Sequence, residues 1–295
     1  MGRTLQTFLL LVVAVGVGAY AGGAWREPSG AATVAKTSIY ERVMTKRTLR
    51  CGYIAYPPIL IKDPNSGQMS GFVFDLMTEI GQRLDLKIEW AEEVGWANNV
   101  QGLLRGRYDA VCAGYWRNAK EGQYLDYTIP FFYSALGAFV RADDHRFDAD
   151  SALLNDPGVT LITTDGALAE VAARNDFPRM KIRALPNLAD ISQVITELAT
   201  GKADVAFLEL MNAGQYGKSN PGKLRQLNPG RPLRVYQNTL ALPPNEPQLK
   251  AMLDSVLYEM RDSGVVERLL RKYEPMPGTM YRVAAPYAAP TRAEE

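Results

Sequence analysis

The sequence predicts an α/β fold of two similar lobes, and three observations carry that expectation. Short apolar segments bounded by turn residues alternate with helical periodicity in the order β-α-β-α-β, which points to parallel strands joined by helical crossovers. A motif recurs: Leu103-x-x-Gly106-Arg107-x-Asp109-Ala110-Val111 returns as Leu198-x-x-Gly201-Lys202-x-Asp204-Val205-Ala206. In both copies a helix ends at a glycine, a basic residue and an aspartate turn the corner, and an apolar strand begins. The polar loop Gly114 to Gln123 follows the strand Ala110 to Ala113, the place where open α/β sheets put their ligands. It gathers Trp116, Arg117, Asn118, Lys120 and Glu121.

Length and charge bound the answer. The 295 residues are enough for two ordinary domains. Thirty-three basic side chains against 32 acidic, with no long single-sign run, give no electrostatic case for nucleic acid. No charge falls between Arg3 and Arg26, and Ala19-Tyr20-Ala21 offers a small-x-small cleavage pattern. Residues 1–24 therefore read as a secretory signal, or as an uncleaved anchor, because the uncharged window is just long enough to span a bilayer. Either reading puts the bulk of the chain outside the cytoplasm.

Residues 25–48 are small, polar and aperiodic, and read as a linker. The first strand is Leu49 to Ile54, leading into Ala55-Tyr56-Pro57-Pro58, a loop that two prolines hold extended. A helix entering at Gly71-Phe72 shows an apolar face of Phe74, Met77, Ile80, Gly81 and Leu84. Leu86 to Trp90 alternates like a strand, and Trp96 to Leu104 reads as the next helix. The apolar strand Ala135 to Arg141 closes the first unit. The second runs through strand Val159 to Thr163, helix Ala167 to Asn175, strand Lys181 to Leu185, helix Leu188 to Thr200 and strand Val205 to Leu208. A Gly/Pro-rich loop, the strand Leu233 to Leu242, and helices Glu246 to Arg261 and Val265 to Tyr273 follow. Residues 274–295 carry too little apolar surface to bury and read as a disordered tail. Cys51 and Cys112 both sit inside strands, where they pair if the strands are neighbours and otherwise serve as core thiols.

Several landmarks in order make the chain resemble the extracellular solute-binding proteins that feed amino-acid and polar-solute ABC importers. They are Leu49-Arg50-Cys51-Gly52-Tyr53 with Tyr56-Pro57-Pro58, Gly71-Phe72 with Asp75-Leu76, Gly106-Arg107-Tyr108-Asp109-Ala110, Asp126-Tyr127-Thr128-Ile129-Pro130-Phe131-Phe132, Gly201-Lys202-Ala203-Asp204 and Arg271-Lys272-Tyr273. The resemblance implies a two-lobed periplasmic binding protein type II fold, with mostly parallel sheets, helices on both faces and a cleft between the lobes. Lobe one would be 49–139 plus 240–273, and lobe two 140–239. It also implies a small-molecule ligand, hinge closure, an ABC permease in the inner membrane as partner, a periplasmic location, a monomer, and no catalytic role or cofactor.

The same resemblance casts Tyr56 as the aromatic that stacks on the ligand, with Trp96 near a second aromatic position and Trp116 as a cleft wall. Gly166 and Ala167 match the helix N-terminus that takes a carboxylate, though without its usual hydroxyl. Glu209 matches the acid that binds an amino group. The arginine that clamps an α-carboxylate falls on Glu121, so Arg117 or Lys120 would have to replace it. The cleft thus keeps amine-binding groups and loses the clamp, pointing to a cationic or polar solute that is not an ordinary α-amino acid. Two other functions are carried: a sensor acting through another chain, and a dehydratase of the same fold with Glu121 as general acid. Metal transport is poorly supported, because His145 is the only histidine and there is no Cys-x-x-Cys.

Overall fold

A computed structural model of the protein describes residues 38–283. Residues 39–283 belong to one unit. Apart from the short strands Ile61–Lys62, Met69–Ser70, Asp126–Tyr127 and Leu224–Gln226, its strands are β1 Thr48–Tyr53, β2 Lys87–Glu93, β3 Ala110–Trp116, β4 Phe132–Arg141, β5 Thr160–Thr164, β6 Lys181–Leu185, β7 Val205–Glu209, β8 Arg234–Leu242 and β9 Met280–Tyr281. Helices are α1 Ile39–Lys46, α2 Phe72–Leu84, α3 Asn99–Leu104, α4 Leu168–Asp176, α5 Ile191–Ala199, α6 Leu210–Ser219, α7 Pro247–Asp262 and α8 Val265–Tyr273.

The main path of the sheet runs β2-β1-β3-β8-β4-β7-β5-β6. At one end β2, β1 and β3 are parallel. At the other, β7, β5 and β6 are parallel. The central strands β8 and β4 run antiparallel to each other and to their outer neighbours. The sheet is therefore mixed, because two strands must pass between the halves in opposite directions.

The recurring motif is a structural repeat as well. In one half, Asp109 accepts the Arg50 backbone N–H at 2.8 Å, and its own N–H donates to the Arg50 carbonyl at 2.9 Å. In the other, Asp204 accepts the Thr160 N–H at 2.9 Å and its N–H donates to the Thr160 carbonyl at 2.9 Å. Each aspartate thus ties the start of its own strand to the first residues of the neighbouring one. The glycines of the two motifs, Gly106 and Gly201, adopt φ of 70° and 76°, a left-handed turn that a side chain would strain.

The apolar interior divides in the same way. Leu49, Phe72, Met77, Leu253 and Leu269 belong to one core, and Leu161, Ala173 and Phe207 to another. Strand β4 begins in the first core at Phe132 and reaches the second by Leu136, while β8 ends in the first at Leu240 and Leu242. These two strands are the crossings of a two-lobed type II periplasmic binding fold.

Several expectations are corrected. Residues 25–48 are not all linker: α1 lies within them, with Val43 fully buried and Arg42 ion-paired to Asp109. Eight residues with one buried side chain give too little periodicity to read. The segment after Glu274 is not disordered throughout. Glu274 accepts the N–H groups of Gly278, Thr279 and Met280 at 2.9 Å, and Met280 enters the first core as β9 pairs with β4. Cys51 and Cys112 form a disulfide, with Cα atoms 5.4 Å apart on the paired strands β1 and β3. Closing a loop of 61 residues this way contributes about 4 kcal/mol on the chain-entropy account. Residues 1–37, which hold the signal or anchor and the first part of the linker, and 284–295 lie outside the described residues.

Candidate functional site

Where the lobes face each other, a cavity of about 80 Å³ is lined by residues of both. Tyr56 comes from the loop after β1, where Leu60 and Tyr56 exchange backbone hydrogen bonds of 2.8 and 3.1 Å and the Pro57–Pro58 bond is cis. Its ring meets Trp96 edge-on, with centroids 5.8 Å apart, and Trp96 in turn lies 6.2 Å from Tyr115. Trp96 stands in the turn before α3, which is shorter than the sequence suggests and starts at Asn99. Asn99 fixes that turn by donating to the Gly95 and Trp96 carbonyls at 3.0 and 2.8 Å.

Strand β3 continues to Trp116, so Gly114, Tyr115 and Trp116 belong to the sheet and not to the loop. Trp116 stacks on Tyr236 with centroids 4.2 Å apart, and its indole N–H donates to Ser134 at 3.0 Å. Glu121 opens a short 3₁₀ turn, and its Oε2 accepts from the Tyr115 hydroxyl at 3.1 Å and from the Asn118 amide. Burial, followed by the Glu121 charge, pushes the Tyr115 hydroxyl far above the usual phenol range.

From the second lobe come Thr163 and Thr164 at the end of β5, then Gly166, Ala167 and the first turn of α4. Gly166 has φ of 78°, and a side chain there would meet the backbone of Ala97 in the other lobe at 2.8 Å. Glu209 is the last residue of β7 and the one on which α6 begins. It is only 5% exposed, and its Oε2 has no hydrogen-bond partner among the described residues. Burial raises its carboxyl to about 7, against the opposing effect of the Ser134 and Tyr56 hydroxyls beside it. The Tyr56 hydroxyl is itself pushed up, first by burial and then by the Glu209 charge.

Of the residues singled out in the sequence, Tyr56, Trp96, Trp116, Glu121, Gly166, Ala167 and Glu209 line this cavity. Three do not. Arg117 lies over the Tyr127 ring, 5.2 Å from its centroid, and shares an outer groove with Asn118. Asn118 acts on the cavity only through Glu121, and Lys120 is exposed. Neither Arg117 nor Lys120 takes the vacated clamp position. Tyr115, Leu136, Thr163, Thr164, Leu168, Ala169, Ile191, Val194 and Phe207 complete the walls without having been anticipated. Thr163 and Thr164 alone carried a signal, as polar residues at the C-terminal end of an apolar strand.

Such a chamber, closed between two lobes and reached by strand ends of both and helix N-termini of the second, belongs to a solute-binding protein. The chain belongs to the bacterial extracellular solute-binding proteins of family 3, whose family model matches residues 49–276. It is thus the solute-binding component of an ABC importer. A cyclohexadienyl dehydratase of Pseudomonas aeruginosa is 22% identical over 246 residues, covering 83% of this chain and 89% of that protein. An L-cystine-binding protein of Bacillus subtilis is 20% identical over 221 residues, covering 74% and 77%. Among solved structures, an ancestral amino-acid-binding protein described as a precursor of cyclohexadienyl dehydratase aligns with a TM-score of 0.71 at 24% identity, over 80% of this chain and 99% of that one.

Proposed function

We propose that this protein captures an amine-bearing solute between its lobes, 49–139 with 240–273 and 140–239, and delivers it to an inner-membrane ABC permease as a periplasmic monomer. The observation that carries the reading is Glu209: a buried carboxyl with an unpartnered oxygen inside an aromatic-walled cavity. A buried carboxylate without a counter-charge is costly, and a ligand ammonium would supply both the charge and the missing hydrogen bond. Tyr56, Trp96 and Trp116 add π faces for the cation and its body. Relatives named for binding cystine, glutamine and histidine all take solutes that carry an amino group. The test is a thermal-shift screen of amines, amino acids and small organic acids, repeated on Glu209→Gln. Stabilisation by amino compounds that the variant loses supports the reading; stabilisation by organic acids alone would end it.

A dehydratase reading rests on one observation, that Glu209 is raised to about 7 and could act as a general acid near neutrality. The cavity walls favour capture, because among the described residues no lysine or arginine lines them to hold an acidic substrate. Incubation with prephenate decides between the two: the absence of a new ultraviolet absorption band is the expected result, and its appearance would establish an enzyme.

A further inference from the structure

We infer that the solute is a protonatable amine, not a quaternary ammonium, on an apolar body that carries no carboxylate, a deepening that rests on the amine reading above. Three features of the cavity set the class. The unpartnered Glu209 Oε2 needs an N–H donor, which an ammonium with at least one N–H provides and a quaternary ammonium does not. Both ionisable acids on the walls, Glu121 and Glu209, are carboxylates, and among the described residues no cationic side chain lines the cavity. A ligand carboxylate would therefore enter a desolvated space beside two others with nothing of full opposite charge to meet it.

Helix N-termini do reach the chamber, but they do not change that balance. The helix starting at Ile191 is already capped by Asp190, and the one starting at Leu210 begins on Glu209 itself. Those at Leu168 and Leu210 lack a side-chain cap; the second begins on a carboxylate, so only the first offers an anion roughly half a charge without an acid at its start. The rest of the wall is largely apolar: Leu136, Leu168, Ile191, Val194 and Phe207 offer surface for a carbon skeleton, beside the hydroxyls of Thr163 and Thr164. The groove that adjoins the cavity, sharing Tyr56, Trp96, Thr164 and Ile191, carries Asp63, Glu93 and Asp190 against one lysine, Lys62, which is paired to Glu93 at 2.6 Å. The approach thus repels anions as the chamber does.

Matched pairs that differ only in the carboxylate test this directly. Isothermal titration of the whole exported chain compares 2-phenylethylamine with L-phenylalanine, and 3-methylbutylamine with L-leucine. At least one amine is expected to bind about tenfold or more tightly than its amino acid, and Glu209→Gln to weaken that amine by about tenfold or more. Leu168→Arg, which puts a guanidinium at the half-buried start of α4, should shift the preference toward the amino acid. Tighter binding of the amino acids, still dependent on Glu209, overturns the carboxylate-free class and leaves amine capture standing. Failure of both amines to bind at millimolar concentration also overturns this inference. Binding that Glu209→Gln leaves unchanged overturns both readings.

Discussion

Glu209 holds a carboxyl where water does not reach, and its proton is the competitor of any ligand ammonium. The ordinary value of 4.5 is raised to about 7 in the ligand-free protein. The sign follows from linkage. Below 4.5 the group is neutral in folded and unfolded chains alike and costs nothing; as pH rises toward 7 the unfolded chain releases the proton first, so the native state loses stability, and above 7 the loss is complete. The interval corresponds to about 3 kcal/mol at most, reduced by whatever lobe opening relieves. Urea denaturation of Glu209→Gln should therefore match wild type near pH 4.5 and exceed it at pH 8. Equal stability at both would show that the carboxyl is not desolvated. The family resemblance pointed to Tyr56 and Glu209, and both line the cavity, one beside two prolines and the other at the end of an apolar strand. The placement of Arg117 and Lys120 was not legible, since a cation written beside a site reads the same whether its side chain turns inward or, as Arg117 does, onto an outer tyrosine.

Two elements show how much one repeated turn determines. Asp109 is fully buried and meets both Arg42 and Arg50, whereas Asp204 is partly exposed and meets Arg146, itself half exposed. Removing Asp109 leaves two partly buried guanidinium groups and the Arg50 N–H without their shared, fully buried acceptor, so Asp109→Ala should cost about 3–5 kcal/mol by chemical denaturation. Asp204→Ala should cost about 1–2 kcal/mol, in keeping with a solvent-screened pair and one lost backbone bond. The reverse ranking would contradict the equivalence drawn between the lobes. Helix α6 went unread for a physical reason: Gly214, Gly217 and Asn212 lower its propensity, and tertiary contacts supply what the local sequence lacks. Gly214 lies against Met276, Met211 enters the first-lobe core, and the Asn212 amide donates to the Pro57 carbonyl at 2.6 Å. Adjacent residues Tyr56 and Pro57 thus clasp Glu209 and Asn212, one turn apart. Asn212→Ala should speed ligand dissociation several-fold in stopped-flow measurements while leaving the association rate nearly unchanged. A slower association rate with unaltered dissociation would place Asn212 outside the closing contact.

At the scale of the whole molecule, the two-lobed plan was readable because it is written twice, in matching helix-to-strand turns and in the β-α-β order around them. What sequence did not carry were the features that depend on distant segments meeting. Helix α1 is held by Glu246, which accepts the Ile39 N–H at 2.8 Å across most of the chain; β9 is placed by Glu274 and by strand β4. The Cys51–Cys112 bond likewise required β1 and β3 to be neighbours. On the proposed reading the two crossing strands act as the hinge, and the buried Glu209 sets what must be present for the lobes to stay together. Small-angle X-ray scattering at pH 8, with and without an amine found to bind, measures that directly. The radius of gyration should fall on adding the amine to wild type and remain unchanged for Glu209→Gln; equal compaction of both proteins, or none in wild type, would contradict closure on a cation held by Glu209.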